Sequence, residues 1–258
     1  MSHVSNSLSV EVRRGHYETV FLRRDIREFR PDPIPDEVLA RVLVAAHHAG
    51  SVGFTQPWNF LIVRDLERRH AIKRLFEEER ASNAAQFDNV RRDKFLSLKL
   101  EGILEAPLNL IVTCERGRFG PGVLGKTAIE DVEVYSTCLA VENLWLCARA
   151  EGLGVGWVSI LRNEEIRTIF RIPESILPIA YLCIGYVDAF PPRPTLESLG
   201  WAERLSPRKL LRFDSWENEA GENENLSRLV EDPSIWRDIF PADKTPPTDG
   251  PAPSKVTP

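Results

Sequence analysis

Apolar residues recur every three or four positions in several stretches of the chain, and they run almost without interruption in shorter ones. The first pattern, together with long charged runs, indicates helices, whereas short unbroken apolar runs indicate buried strands. Helices are therefore predicted over residues 10–23, 35–49, 65–80, 81–105 and 129–151, with a short one from residue 163. Strands are predicted over residues 58–63, 107–114, 155–161 and 179–187.

The ends of these elements carry their own signals. Residues 31–35 contain three prolines that end the first helix, and Pro35 suits the first position of the next one. Asp65 is a predicted N-cap, and Gly152 is a predicted stop for the long helix before it. That helix is apolar nearly all round, which places it centrally. Because helices and strands interleave irregularly, the sequence predicts an α+β fold or a three-layer α/β sandwich around a mixed sheet.

Length and composition favour one domain followed by a tail. The chain has 258 residues, 43% of them hydrophobic, which suffices for one substantial core. From residue 217 onward the composition changes, and this segment holds nine acidic residues, four basic residues and seven prolines. We therefore predict a single domain over residues 1–216 and a disordered acidic, proline-rich tail over 217–258. A short apolar patch at 226–240, which includes Trp236, could dock on another surface.

Charge and residue spacing argue against several kinds of partner and site. Residues 1–216 hold 29 basic and 29 acidic residues, so neither nucleic acid nor a membrane is expected as a partner. The chain has no apolar run of about 18 residues and no signal-peptide core, so a cytoplasmic protein is predicted. The four cysteines lie in apolar runs and are predicted to be buried thiols. His47 and His48 are adjacent and cannot chelate one ion together, so no metal site is predicted.

Three segments suggest a binding site, namely RRDIR at 23–27, SVGFTQPW at 51–58 and GLGVGWVS at 152–159. The first offers guanidinium groups for a phosphate. The second is a turn of small residues in which Ser51 and Gln56 offer hydrogen-bond donors. The third is poor in side chains, so its backbone could lie against a flat ring. Together the three segments fit flavin mononucleotide (FMN), an anionic molecule with a planar ring.

Each segment also has a purely structural interpretation. The arginines could form a solvated patch, since at most two of them can reach one phosphate from the end of an intact helix. Residues 51–56 could be an ordinary loop, and the glycines at 152–156 could serve close packing. Asp25 could act as a general base or could orient an arginine. Ser159 could donate a hydrogen bond to a bound ring or to neighbouring backbone. The glycines precede a strand rather than follow one, so they do not form a dinucleotide-binding fingerprint.

Taken together, these segments resemble the nitroreductase superfamily. The similarity covers residues 17–216 and extends to AAHHAGSVGFTQPWNF at 45–60, SLKLEGI at 97–103, ENLWL at 142–146, AEGLGVGWVS at 150–159 and GWAER at 200–204. Several collinear motifs are far more specific than any one of them. General members of the superfamily usually carry a serine after the first two arginines. This chain has Asp25 at that position, and in this respect it resembles the branch that consumes reduced FMN.

The resemblance implies a fold, a reaction and partners. The implied fold is α+β, a nitroreductase-like three-layer α/β/α sandwich around a mixed central sheet, assembled as a homodimer with flavin sites at the subunit interface. Reduced FMN is the implied substrate and dioxygen the co-substrate, and the products are 5,6-dimethylbenzimidazole, the lower ligand of cobalamin, and a four-carbon sugar phosphate. A separate flavin reductase would supply the reduced FMN. The helical region at 83–98 corresponds to a lid that excludes water.

Site residues follow from motif position. Asp25 and Ser159 correspond to the catalytic pair. Phosphate and ribityl contacts correspond to Arg23, Arg24, Arg27 and Arg204, and the ring-lining positions to Ser51, Gly156, Trp157 and Val158. The full set of expected flavin-binding residues is Arg23, Arg24, Asp25, Ile26, Arg27, Ser51, Gln56, Ser97, Gly156, Trp157, Val158, Ser159 and Arg204. The departures from the family pattern are Gly50 in place of proline, Thr55 in place of methionine and Glu142 in place of glutamine.

Two alternative functions stay open on the sequence. The first is an NAD(P)H-dependent nitroreductase or flavin oxidoreductase in which FMN is recycled, although Asp25 weighs against it. The second is a flavin-binding module without turnover that uses the acidic tail as a docking arm. Consumption of nicotinamide without loss of flavin would favour the first alternative. Loss of function on removal of the tail, with flavin binding intact, would favour the second.

Overall fold

The computed structural model describes residues 6–218 and 224–240 of the chain. The chain divides into two compact units. The sheet unit spans Arg24–Phe190, and the terminal unit combines Met1–Arg23 with Pro191–Pro258. The domain boundary expected at residue 216 stays a prediction.

The sheet unit is built on an antiparallel sheet. Its strands, within the described residues, are β1 (Trp58–Val63), β2 (Leu108–Glu115), β3 (Leu153–Val158) and β4 (Ile176–Tyr186), in the order β1-β2-β4-β3. The pairs β1/β2, β2/β4 and β3/β4 are all antiparallel. A mixed sheet also contains a parallel pairing. In this structure the parallel pairing is an isolated bridge between Asp25 and Val155, on the open side of β3.

The central strands β2 and β4 are largely buried on both faces, and their side chains alternate between the two sides of the sheet. In β2, Leu110 and Val112 enter one hydrophobic core, whereas Ile111 between them enters another. In β4, Leu182 and Cys183 divide between the two cores in the same way. A sheet buried on both faces reads as a continuous apolar run, which is the pattern that the sequence shows for β2 and β4.

Helices cover the two faces and complete the three layers. The helices of this unit are α2 (Asp36–His47), α3 (Leu66–Ala84), α4 (Asn89–Ser97), α5 (Val132–Ala150) and α6 (Asn163–Phe170). Side chains of α2 and α5 pack into the first core, and side chains of α3 and α6 into the second. The fold is therefore the predicted α+β, three-layer α/β/α sandwich.

Most predicted elements are confirmed, and the deviations have local causes. β1 has the predicted bounds, and the Asp65 side chain caps α3 by accepting from the Arg68 amide. Gly152 has a φ of 78° and follows the end of α5, as expected. The helix predicted over residues 81–105 is wrong on both sides of α4, because residues 81–84 belong to α3 and residues 85–88 are not helical. Residues 98–106 are not helical, because the buried Arg69 guanidinium binds backbone carbonyls there, including that of Ile103.

The terminal unit contains α1 (Val10–Leu22), α7 (Thr195–Ser198) and α8 (Glu224–Leu229). Trp236 packs edge-on against Tyr17 and Phe21 of α1, with ring centroids 5.0 and 5.2 Å apart. The Arg14 guanidinium also donates to the Ile239 carbonyl at 2.8 Å. Residues 224–240 of the predicted tail thus contain a helix and an aromatic contact, whereas its proline-rich end at 245–253 lies outside the described residues. None of the helices in residues 6–218 and 224–240 is long and apolar enough to cross a membrane.

Candidate active site

Residues 24–27 lie along the open side of β3 as an added extended segment. The Ile26 amide donates to the Val155 carbonyl at 3.0 Å, and the Trp157 amide donates to Asp25 Oδ1 at 3.1 Å. On the other side, Trp145 Nε1 of α5 donates to the Arg24 carbonyl at 3.2 Å. Residues 24–27 and the glycine-rich strand, more than 100 residues apart in sequence, therefore meet in the structure.

The glycines of β3 are needed for this contact. A β-carbon on Gly156 would lie 2.0 Å from the Ile26 carbonyl oxygen and 2.6 Å from Arg27 Nη1. A β-carbon on Gly154 would lie 2.7 Å from Val187 Cγ1 and 2.9 Å from Ile26 Cγ1. The glycines therefore leave space for Ile26, Arg27 and Val187, which agrees with the packing interpretation of this motif. Contact of Gly156 and Val158 with a flavin stays a prediction.

Arg27 holds the Asp25 carboxylate in place. Its Nη2 donates to Asp25 Oδ2 and, at 2.8 Å, to the Trp157 carbonyl. The Arg27 side chain is 15% exposed, whereas that of Asp25 is 43% exposed. Nη1 of Arg27 is buried and has no hydrogen-bond partner within the described residues. The guanidinium is thus committed to the protein, and the carboxylate that it fixes remains open to solvent.

The other predicted arginines differ in exposure, and they do not all belong to the same unit of the chain. Arg24 is 4% exposed. Arg23 ends α1 with an extended backbone (φ −61°, ψ 136°), so the helix has already unwound where the arginines begin and they need not splay around its axis. Arg204 is exposed and belongs, like Arg23, to the terminal unit. A common phosphate contact by these residues stays a prediction.

The turn at residues 51–56 has an unusual backbone. It contains a 3-10 turn, Val52–Phe54, and positive φ angles at Gly53 (50°), Phe54 (57°) and Gln56 (44°). Each such angle costs a non-glycine residue about 1–2 kcal/mol, so surrounding contacts must hold the turn. Two serines do so: Ser51 Oγ accepts from the Gln56 amide at 3.0 Å, and Ser136 Oγ of α5 accepts from the Val52 amide at 3.1 Å.

Thr55, which stands where the family usually has methionine, is buried within this turn. Its hydroxyl donates to the Val52 carbonyl at 2.8 Å, and the residue is 1% exposed. The Gln56 side-chain amide donates to the Phe54 carbonyl at 2.6 Å. Both polar side chains therefore stabilise the turn itself.

Ser159 lies one residue beyond the end of β3, which begins two residues earlier and ends three residues earlier than the strand predicted over 155–161. It lines a cavity of about 180 Å³ together with Trp157, Asn163 and Tyr181. Asp25 is not among the residues that line this cavity. Ser97 is the last residue of α4 and is exposed, and its hydroxyl donates to the Lys94 carbonyl at 2.7 Å.

Burial disfavours the thiolate form of the cysteines close to this region. Burial raises the pKa of Cys183 to about 12, and burial also raises the pKa of Cys114. Cys138 and Cys147 are half-buried, and all four cysteines are unpaired. No group of three or more potential metal ligands occurs among the described residues.

Sequence reasoning missed two structural residues and one motif. Ser136 and Arg118 bind the turn at 51–56, and Arg118 was overlooked because it lies in a glycine-rich loop without periodicity. Residues 120–127 read GPGVLGKT, which matches the Gly-x-x-x-x-Gly-Lys-Thr pattern of phosphate-binding loops. The structure does not support that function. Lys126 Nζ lies 3.1 Å from Glu133 Oε1, and α5 begins only at Val132.

The comparisons with known proteins agree with this architecture. The Nitroreductase family model matches residues 21–186, so the chain belongs to the nitroreductase family. Within the family it is similar to 5,6-dimethylbenzimidazole synthase. The protein of that name from Rhodospirillum rubrum is 43% identical over 182 residues, which cover 70% of this chain and 86% of the relative. The one from Rhodobacter capsulatus is 35% identical over 188 residues, which cover 73% and 91%.

A solved structure supports the fold independently. Iodotyrosine deiodinase, crystallised with FMN and 3-iodo-L-tyrosine, superposes with a TM-score of 0.61 at 23% identity. The match covers 78% of this chain and all of the deiodinase chain. At that identity the likeness shows the fold only, which is the predicted nitroreductase-like sandwich.

Proposed function

We propose that this chain fragments reduced FMN in an oxygen-dependent reaction that yields 5,6-dimethylbenzimidazole and a four-carbon sugar phosphate. The observation that carries the proposal is the 43% identity to a 5,6-dimethylbenzimidazole synthase over 86% of its length. An exposed carboxylate at Asp25, the position that distinguishes this branch, is consistent with it. The fold is common to relatives with other names, so it does not by itself select the reaction.

The residues present fit FMN by the chemistry of their donors. The candidate site offers a serine hydroxyl at Ser159 and an indole at Trp157 against which a ring can lie. The Arg27 guanidinium is committed to Asp25 and Trp157, so the phosphate contacts expected of the other arginines stay predictions. The cavity at Ser159 is about 180 Å³, below the roughly 300–1,000 Å³ of typical ligand pockets. It would therefore take only an edge of the ring. Reduced FMN, when bound, supplies the aromatic carbon skeleton of the product and the electrons that dioxygen accepts.

Asp25 is proposed as the group that accepts protons from the substrate. Its carboxylate is held at two points, by the Trp157 amide and by Arg27, so its direction is fixed before any ligand arrives. Pre-organised acid–base groups of this kind typically contribute about 10²–10⁴-fold to a rate. Ser159 is proposed to donate a hydrogen bond from the cavity wall.

A second copy of the chain is proposed to complete the site. Apolar side chains are exposed at one end of the sheet unit, where Phe54 and Leu124 are 81% and 84% exposed. Tyr135 and Leu139, one turn apart on α5, are also exposed. Such exposed apolar residues are typical of a surface that another chain covers. The reduced FMN would come from a separate flavin reductase, and the cytoplasmic location expected from the sequence stays a prediction.

The direct test presents chemically reduced FMN to the purified protein without oxygen and then admits oxygen. We expect stoichiometric loss of flavin and appearance of 5,6-dimethylbenzimidazole, measured by mass spectrometry. Full recovery of oxidised FMN would refute the proposal. Steady NAD(P)H oxidation with a nitroaromatic acceptor and no flavin loss would instead assign the chain to recycling nitroreductases.

Asp25→Asn tests the assignment of the base. Asparagine keeps an oxygen for the Trp157 amide, so we expect flavin to bind within a few-fold of the wild-type affinity while product formation falls by about 10²-fold or more. Asp32→Asn is the matched control. Asp32 also pairs with an arginine two residues away, Arg30, at 2.8 Å, and its side chain is 46% exposed. Retention of product formation in Asp25→Asn would exclude the base role.

A further inference from the structure

The loop at residues 116–126 packs directly on the strained turn at 51–56. A β-carbon on Gly53 would lie 2.7 Å from Val123 Cγ1 and 2.8 Å from the Leu124 carbonyl oxygen. One on Gly125 would lie 3.4 Å from Val52 Cγ2. Val123 is buried, whereas its neighbour Leu124 is exposed. The loop and the turn are thus in contact along their backbones.

Two cationic side chains hold this loop in place, one at each end. The Arg118 guanidinium donates to the Gln56 carbonyl, to the Trp58 carbonyl at 3.2 Å and to Asn59 Oδ1 at 2.5 Å. At the other end, Lys126 Nζ donates to the Arg116 carbonyl and to Glu133 Oε1 at 3.1 Å. The loop is therefore closed on itself and tied to both β1 and α5.

Of these two cationic contacts, the Lys126–Glu133 ion pair is the one that involves a buried carboxylate. Glu133 is 1% exposed, and its Oε2 finds no hydrogen-bond partner in the part of the chain that the structure describes. A buried carboxylate with one cationic partner depends strongly on that partner. Glu133 also lies on α5 three residues before Ser136, whose hydroxyl binds the Val52 amide. One helix segment thus holds both the loop and the turn.

We propose that Lys126 and Glu133 are positioning residues that press Val123 and Leu124 onto Gly53 and so hold the turn at 51–56 in its high-energy conformation. The proposal rests on the function proposed above and on the ring contact expected of Ser51 from its motif position. The turn has positive φ at non-glycine residues and would relax without external contacts. The turn can keep a fixed shape beside a ligand only while the loop is closed on it.

Hydrogen exchange measures the turn without any ligand. Amides of the turn are hydrogen-bonded, among them Val52 to Ser136 Oγ and Thr55 to the Val52 carbonyl at 3.0 Å. We expect Lys126→Met to raise exchange in the peptide covering 51–56 by about tenfold, the effect of losing one hydrogen bond to a charged group. Lys126→Arg should restore slow exchange.

The matched control is a second buried lysine–glutamate pair on the other side of the sheet. Lys73 Nζ lies 2.5 Å from Glu101 Oε1, and the two lysine side chains are similarly exposed, at 26% and 24%. Lys73→Met should lower global stability without changing exchange at 51–56. Val123→Ala, which alters no charge, serves if Lys126→Met does not fold, and it should also raise exchange there. Unchanged exchange in both loop variants would overturn the proposal.

Titration with oxidised FMN, followed by flavin fluorescence, tests the link to the site. We expect a roughly tenfold higher Kd in Lys126→Met and an unchanged Kd in Lys73→Met at equal loss of stability. Faster exchange with an unchanged Kd would overturn the positioning role. If the wild-type chain binds no FMN, the proposed function is wrong, and the role of the loop in flavin binding is wrong as well. The exchange data still decide whether the loop holds the turn.

Discussion

Gly156→Ala changes one hydrogen to a methyl group at the point where β3 meets residues 25–27. The new β-carbon would lie 2.0 Å from the Ile26 carbonyl oxygen, which belongs to the backbone and cannot rotate away. It would also lie 2.6 Å from Arg27 Nη1. The segment must therefore move off the strand, and the hydrogen bond from the Ile26 amide to the Val155 carbonyl would be lost with it.

The magnitude follows from three contributions. Overpacking of this kind costs about 1–3 kcal/mol, and a lost backbone hydrogen bond costs about 1 kcal/mol. Replacing a strand glycine by alanine recovers about 0.5–1 kcal/mol of conformational entropy. We therefore expect the free energy of unfolding to fall by about 1–3.5 kcal/mol, since the steric cost exceeds the entropic gain.

Urea unfolding of three alanine variants would check this order. Gly154→Ala should cost less, because its nearest neighbours are side-chain carbons of Val187 and Ile26 that can shift. Gly50→Ala is the control, since a β-carbon on Gly50 would meet no atom within 4 Å and the φ of this residue is not positive. It should be neutral or slightly stabilising. If Gly156→Ala were as stable as Gly50→Ala, the close approach of residues 25–27 to β3 would be refuted.

Three further outcomes are expected elsewhere in the chain. Arg69→Met should cost about 3 kcal/mol in thermal or urea unfolding, because carbonyls such as that of Ile103 lose their donor; a cost below about 1 kcal/mol would contradict this. Trp236→Ala should cost about 2 kcal/mol and speed hydrogen exchange in α1, and unchanged exchange would argue against the contact with Tyr17. Burial raises the pKa of the Cys183 thiol to about 12, whereas the unfolded thiol ionises near 8.5. The free energy of unfolding should therefore fall between about pH 9 and 12, by up to roughly 1.4 kcal/mol per pH unit from Cys183 alone. Cys183→Ala should have a correspondingly shallower slope, and equal slopes would contradict the assignment.

Elements with strong local signals were predictable from the sequence. β1 has the predicted bounds, and the Asp65 cap and the stop at Gly152 are where the residue types place them. The error over residues 81–105 has a different origin. The non-helical path there depends on Arg69, which lies on a different element and more than 30 residues away. Local propensity carries no information about such a distant partner.

The candidate site shows the same division. Asp25 and the glycine-rich strand were both selected from the sequence, and the structure brings them together. The reason for the glycines was not accessible, because two interpretations, a ring or a packed backbone, make the same demand on residue size. Similarly, Arg27 looked like a phosphate ligand in the sequence, whereas the structure commits its guanidinium to Asp25 and Trp157.

Local sequence signals specify the layers, the family resemblance and the residues at which chemistry is expected, because periodicity, caps and motifs are properties of neighbouring residues. The groups that those residues contact are set by the folded structure. It filled the space beside Gly156 with the Ile26 carbonyl, and it joined Lys126 to Glu133 within a motif that otherwise suggests a phosphate loop. These contacts depend on how distant segments pack against one another, and packing is a property of the whole fold.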